Sequence, residues 1–122
     1  MSWGVVTTDD FDVWLYGLSE DQQAAVVARV DMLATSGPTL GRPTVDSIKG
    51  SRHHNMKELR CSKGGALRVL FIFDPLRQAV MLLGGDKSED SQWERWYAGA
   101  VPRADSLYDD HLAQLREEGL IK

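Results

Sequence analysis

The chain has 122 residues, a hydrophobic fraction of 43%, a charged fraction of 26% and a formal net charge of -4. This length fits one domain that buries a core without disulfides, and the composition is typical of a soluble globular protein. No apolar run reaches the roughly 18 residues of a membrane span, and the first residues lack the features of a secretory signal. Cys61 is the only cysteine, so we expect a cytoplasmic protein with no internal disulfide.

The charge is unevenly distributed along the chain. Residues 1–41 carry a net charge of -5, residues 42–68 carry +5, and residues 69–122 carry -4. A basic segment within an acidic chain can attract a phosphate backbone. Lysines and arginines in a solvated loop give the same pattern, so charge alone leaves both interpretations open.

The N-terminal third predicts a strand and two helices. Residues 3–6 are a candidate first strand, and a short helix is predicted from Asp10. Ser19 and Gln22 have the spacing of a capping box at the start of a second helix. Gly37 is expected to end that helix, so the two helices form a hairpin.

Three strands are predicted in the middle of the chain, after a connecting loop at residues 37–52. They are Met56 to Cys61, Leu67 to Phe73 and Ala79 to Leu83. Their short connections favour an antiparallel meander, because parallel neighbours need a long crossover. Their nearly continuous apolar sequence favours a sheet that is covered on both faces.

The C-terminal third predicts helix. Gly84 and Gly85 are interpreted as a flexible connection, Pro102 as the start of a last helical segment, and Gly119 as its end. The fold class is therefore α+β, with an N-terminal helical hairpin, a small antiparallel β-sheet and a C-terminal helix. Aromatic residues at helical spacing fit a core, although they could also stack on bases; they are Trp93, Trp96 and Tyr97.

Arg68 opens the most apolar strand and shares a strand face with Leu70 and Ile72. A guanidinium there is costly unless it has a partner or faces a cleft. Arg60 ends the preceding strand and Lys87 follows the third one, so three cations converge and predict an anion site. The alternative is a set of surface ion pairs, each worth about 0–1 kcal/mol, with Glu58, Asp74 and Asp86.

The histidines are candidate acid–base groups, because imidazole titrates near neutral pH. His53 and His54 would point to opposite faces of a strand, and His54 would share the face of Arg60 if the strand extended back to it. A metal site is not expected, because His111 lies far along the chain. Cys61 is interpreted as a small strand residue, since no nearby group reads as its base.

Several segments together carry a resemblance to a known family. GSRHHNMKELR, ALRVLFIFDP and AVMLLGGDKS occur in this order and are followed by WERWY and VPRADSLYDDHL. The series resembles the RelE/HigB superfamily of toxins, in particular the HigB-like, phage-related branch found in bacterial type II toxin–antitoxin modules. The resemblance covers roughly residues 40–118.

The resemblance implies a compact α+β fold of the microbial-ribonuclease type and an mRNA endoribonuclease that often acts on the ribosome. It implies no cofactor and no metal, because the 2′-OH of the RNA attacks the adjacent phosphate. Arg60, Arg68 and Lys87 match the cationic cleft of the family and would bind the phosphate and stabilise the transition state. His54 is a further catalytic candidate, and Tyr97 is a candidate for proton transfer or stacking.

The implied partners are mRNA, the ribosome and a small helix-turn-helix antitoxin in a hetero-oligomer, with no membrane.

The acidic net charge departs from the family, and the sequence reveals no well-placed glutamate beside the arginines. Two alternatives remain, a ParE-like gyrase-inhibiting toxin and a non-catalytic phage-derived interaction module. We assign the RNA contacts to Arg52, Asn55, Lys57, Lys63 and Tyr97.

Overall fold

The computed structural model describes residues 2–89 and 93–122. It confirms the predicted α+β class, with two helices between the first strand and the other strands of the sheet and one long helix after them. The elements are β1 (Gly4–Thr7), α1 (Asp9–Tyr16), α2 (Glu20–Ser36), a 3-10 turn (Gly37–Thr39), β2 (Val45–Ser47), β3 (Lys57–Cys61), β4 (Leu67–Phe73), β5 (Gln78–Asp86), a second 3-10 turn (Lys87–Glu89) and α3 (Trp93–Glu117).

The N-terminal helices begin and end where the local chemistry predicts. The Thr8 hydroxyl accepts a hydrogen bond from the backbone N–H of Phe11 and caps α1. Ser19 and Gln22 form the predicted capping box at the start of α2, which satisfies backbone donors that have no partner within the helix. Gly37, at a φ of 61°, ends α2.

The sheet has the strand order β1-β5-β4-β3-β2. Strands β2 to β5 form an antiparallel meander, as predicted, but β1 pairs with β5 in parallel. The interpretation of residues 37–52 as a loop is wrong in part, because this segment contains a 3-10 turn and β2. Strand β2 is only three residues long and buries only Val45, which is too little apolar sequence to show a period.

Strand β4 divides its side chains between two cores. Val69 and Phe71 pack against α1 and α2, whereas Leu70 and Ile72 pack against α3. Both faces of the sheet are covered, as its apolar strands predict. None of the described helices has the length and apolarity needed to cross a membrane.

Helix α3 continues through Pro102, so the prediction that a new segment starts there is wrong. Proline removes one intrahelical hydrogen bond, to the carbonyl of Ala98, and Ala98 is exposed, where water can replace that donor. The predicted stop at Gly119 is confirmed. Gly119 has a φ of 75°, and the N–H of Leu120 donates to the carbonyl of Leu115 at 2.9 Å, as in a Schellman motif.

Gly84 and Gly85 lie within β5 and are not a flexible connection. A Cβ on Gly84 would collide with the ring of Trp14, and a Cβ on Gly85 would collide with the ring of Trp96. The two indoles therefore cover the strand from opposite faces, and only glycine leaves room for both. Packing, and not backbone conformation, requires glycine at both positions, since neither glycine has a positive φ.

We predict that Gly84→Ala lowers the free energy of unfolding by about 1–3 kcal/mol, because the added methyl group overpacks the Trp14 contact. Urea denaturation followed by circular dichroism measures the change. Gly41→Ala is the matched control, because its Cβ would meet no atom within 4 Å. An equal loss in both variants would contradict the packing argument.

Candidate active site

The sheet register brings the three predicted cations together. Arg60 lies directly opposite Arg68 on the neighbouring strand, and Arg68 lies opposite Gly85. Lys87 follows β5 at the same end of the sheet. Burial lowers the pKa of its ammonium group, and the charges of Arg68 and Arg60 lower it further, whereas the carboxylate of Glu58 opposes this shift.

A bulge in β5 makes this convergence possible. The register shifts between Leu70 and Phe71, whose partners in β5 are Leu83 and Met81. The extra residue reverses the alternation of the strand, so Gly85 faces α3 together with Arg68. Without the shift, the end of β5 would present its side chains to the opposite face.

Arg68 is a buried guanidinium that lacks a full set of partners. Its exposed fraction is 9%, and its Nη1 donates to the carbonyl of Leu67 at 2.9 Å. Within the described residues, Arg68 Nε is the one buried side-chain nitrogen or oxygen without a hydrogen bond. Leaving such a donor unsatisfied costs about 1–3 kcal/mol, and an anion that reached it would remove this cost.

Glu58 lies at the centre of the cluster. It is 3% exposed, and its carboxylate accepts hydrogen bonds from Arg60 Nε at 2.9 Å and from the Tyr97 hydroxyl at 2.6 Å. Arg68 Nε is 3.9 Å from Glu58 Oε1, which is beyond hydrogen-bond length. The expectation that no well-placed glutamate accompanies the arginines is therefore wrong. Glu58 precedes Arg60 by two residues, and the period of a strand already places both on one face.

The remaining contacts of Arg60 hold it in place. Its Nη2 donates to Asp46 Oδ2 at 3.0 Å, and Asp46 also pairs with Arg42 at 3.1 Å. The hydrogen bond to Glu58 raises the pKa of Arg60. Of the alternative surface pairs, Arg60–Glu58 forms, and the carboxylate of Glu58 is buried. Asp74 accepts from His111 Nε2 at 2.8 Å instead.

Tyr97 is the aromatic member of the cleft. Desolvation, together with the hydrogen bond to Glu58, raises the pKa of Tyr97 to about 12. Its hydroxyl therefore stays protonated near neutral pH and acts as a donor. Lys87 Nζ lies 3.5 Å from this hydroxyl and 5.6 Å from the ring centroid. The prediction for Trp93 concerns a side chain outside the described residues.

The structure places His54 and Asn55 away from this cleft. Strand β3 begins at Lys57, so the alternation that linked His54 to Arg60 does not reach it. Both residues are exposed and line a separate cavity of about 460 Å³ beside Phe73. Phe73 and Arg68 lie at opposite ends of β4. The five residues of strand between them span about 16 Å, so the cavity is far from Arg68. The assigned roles of both residues stay predictions.

The other predicted RNA contacts also lie outside the cluster. Arg52 and His53 bind Asp109 of α3, at 2.5 and 2.8 Å. Lys57 lies on the strand face opposite Glu58, and Lys63 is exposed in the turn between β3 and β4. Over residues 2–89 and 93–122, no group of three His, Cys, Asp or Glu side chains is arranged to hold a metal ion.

Comparisons with known proteins place the chain in a family. Residues 13–109 match the family described as phage derived protein Gp49-like (DUF891). The candidate toxin HigB3 of Mycobacterium tuberculosis is 46% identical over 109 residues, which cover 89% of this chain and 93% of the relative. The candidate toxin HigB2 of the same organism is 44% identical over 85% of this chain, which spans only 52% of that relative.

Two solved structures share the fold. A mutant of the E. coli toxin RelE in the free state has a TM-score of 0.61 at 10% identity, covering 84% of this chain and 98% of that chain. The toxin–antitoxin complex RelBE2 of M. tuberculosis gives a TM-score of 0.55 at 18% identity, covering 70% of this chain and 99% of that chain. The protein thus has a RelE-type fold. It belongs to the Gp49-like family and is of the HigB type.

We predict that inorganic phosphate stabilises the protein through Arg68. At ten times its Kd, phosphate adds about 1.4 kcal/mol, which raises the Tm by about 5 °C. Arg68→Met should lose this shift, whereas Arg103→Met, which removes a surface cation paired with Asp10, should keep it. Thermal denaturation at constant ionic strength measures both, and an equal shift in Arg68→Met would contradict phosphate binding at Arg68.

Proposed function

We propose that the protein is the toxin of a type II toxin–antitoxin module and that it cleaves mRNA without a metal ion. The observation that carries the proposal is the buried Arg68, whose Nε has no hydrogen bond and lies in a cleft with Arg60 and Lys87. A convergent set of cations with a free donor suits a phosphodiester. The HigB relatives, which are named as candidate toxins, support the same conclusion.

The two arginines bind the scissile phosphate. A guanidinium is planar and its parallel N–H groups match two phosphate oxygens. Arg60 is already oriented by Glu58 and Asp46, so it loses little freedom when RNA binds. Arg68 supplies the unused donor. Both cations also stabilise the extra negative charge that the phosphorus centre acquires in the transition state.

Glu58 and Tyr97 provide the proton transfers. Glu58 takes the proton of the 2′-OH as its oxygen bonds to phosphorus, and Tyr97 gives its proton to the 5′-oxygen as the P–O5′ bond breaks. The products are a 2′,3′-cyclic phosphate and a 5′-hydroxyl. The 2.6 Å hydrogen bond between Tyr97 and Glu58 then returns the proton from the carboxyl group to the tyrosine. Lys87 balances the charge of the transient tyrosinate.

The proposed partners follow from the same assignment. The substrate is mRNA, engaged on the ribosome, and the inhibitor is a small antitoxin with a helix-turn-helix domain. The structural relative RelBE2 is described as a toxin–antitoxin complex, which supports a toxin–antitoxin hetero-oligomer. The contacts to the ribosome come from the basic segment at residues 42–68.

We predict that Arg68→Ala abolishes growth arrest while the protein remains folded, because it removes the free phosphate donor. Induction without the antitoxin, followed by sequencing of RNA 5′ ends, measures cleavage, and circular dichroism checks folding. A folded and fully toxic Arg68→Ala variant would remove this assignment. DNA damage signalling without mRNA cuts would instead indicate a gyrase inhibitor.

We also predict that Glu58→Gln reduces the cleavage rate by about 10²–10⁴-fold, the usual contribution of a general base. The amide keeps the size of the side chain but cannot take the proton. Single-turnover cleavage of a short RNA measures the effect. Glu117→Gln, at an exposed position near the end of α3, is the charge-matched control, and a rate within twofold of the wild type for Glu58→Gln would exclude the role.

A further inference from the structure

A second cavity adjoins the cleft and shares Tyr97 with it. The cavity has a volume of about 220 Å³ and lies between the loop at Lys49 and Gly50 and the start of α3. The hydroxyl of Tyr97 reaches Glu58 in the cleft, while the same residue forms part of the cavity wall. A group bound here would therefore lie next to whatever occupies the cleft.

The walls of the cavity suit a flat, partly polar group. Val101 and Pro102 provide an apolar side and Tyr97 an aromatic one. Pockets for drug-sized ligands begin at about 300 Å³, so this smaller cavity fits a single planar ring system. Stacking on an aromatic side chain is worth about 1–3 kcal/mol per nucleobase.

Two oppositely charged side chains line the cavity without pairing. Glu94 and Lys49 form no ion pair or hydrogen bond with any residue that the structure describes. A carboxylate offers only acceptors and an ammonium only donors. The cavity thus offers the two carboxylate oxygens of Glu94 as acceptors and the ammonium group of Lys49 as a donor to a group that enters between them.

We propose that this cavity receives the nucleobase next to the scissile phosphate and that Glu94 and Lys49 select guanine. This inference rests on the proposed RNA cleavage. Guanine alone among the four bases has two adjacent donors on one edge, N1–H and the N2 amino group, which match both oxygens of a carboxylate. Its O6 and N7 acceptors are the usual partners of lysine. In adenine, cytosine and uracil, a ring acceptor or carbonyl on that edge would face the carboxylate and repel it.

The test measures binding without cleavage. The probe is a fluorescent five-nucleotide oligouridine with guanosine, adenosine, cytidine or inosine at its centre and a 2′-deoxy sugar at every position, so that no 2′-oxygen can attack a phosphate. Fluorescence anisotropy should show that the guanosine probe binds about tenfold more tightly than the adenosine probe, the effect of one good bidentate contact. Inosine, which lacks the N2 amino group, should fall between them.

Glu94→Gln should reduce the guanosine preference to less than twofold, because the amide replaces one acceptor with a donor. Glu117→Gln, on the same helix but outside the cavity, should keep it, and Lys49→Ala should weaken it. Equal affinity of wild type for all four probes, or a preference that survives Glu94→Gln, would overturn the inference alone. Failure of every probe to bind would overturn the proposed RNA site as well.

Discussion

The site depends on one buried carboxylate. Three cations at one end of the sheet repel one another, and a pair of like charges 5 Å apart would cost about 3 kcal/mol for an effective dielectric constant near 20. Glu58 offsets this repulsion from between them, with hydrogen bonds from Arg60 and Tyr97. It does not reach Arg68 Nε, which is 3.9 Å away. The cluster therefore keeps one buried guanidinium donor, Arg68 Nε, without a hydrogen bond among the described residues.

The position of this cluster is fixed by packing at a distance from it. Trp14 and Trp96 press on Gly84 and Gly85 from opposite faces of β5, and the bulge beside Leu83 sets which face each residue after it occupies. Asp86 then fixes the end of the strand, since its Oδ1 accepts from the backbone N–H groups of Ala66 and Ser88. Lys87 follows directly, and its Nζ lies 3.5 Å from the Tyr97 hydroxyl.

Much of this could be predicted from the sequence because it is local or periodic. The capping box of α2, the apolar strands and the facing pair Arg60 and Arg68 follow from spacing alone. The parallel pairing of β1 and the bulge in β5 could not be predicted, because both depend on contacts between distant segments. The continuity of α3 through Pro102 is a similar case, where burial of Ala104 and Tyr108 outweighs one lost hydrogen bond. Glu58 was visible in the sequence, but its pairing with Tyr97 spans 39 residues.

The acidic net charge is compatible with RNA binding because the charges are separated in space. Helix α2 carries Glu20, Asp21 and Asp31 and packs on the sheet face opposite Arg68. Asp10 of α1 is paired with Arg103. A packed helix layer is about 8–10 Å from its neighbour, which is comparable to the Debye length of about 8 Å at physiological ionic strength. An RNA phosphate in the cleft is thus separated from those carboxylates by the sheet, whereas Arg60, Arg68 and Glu58 lie on the same side of the sheet as the phosphate.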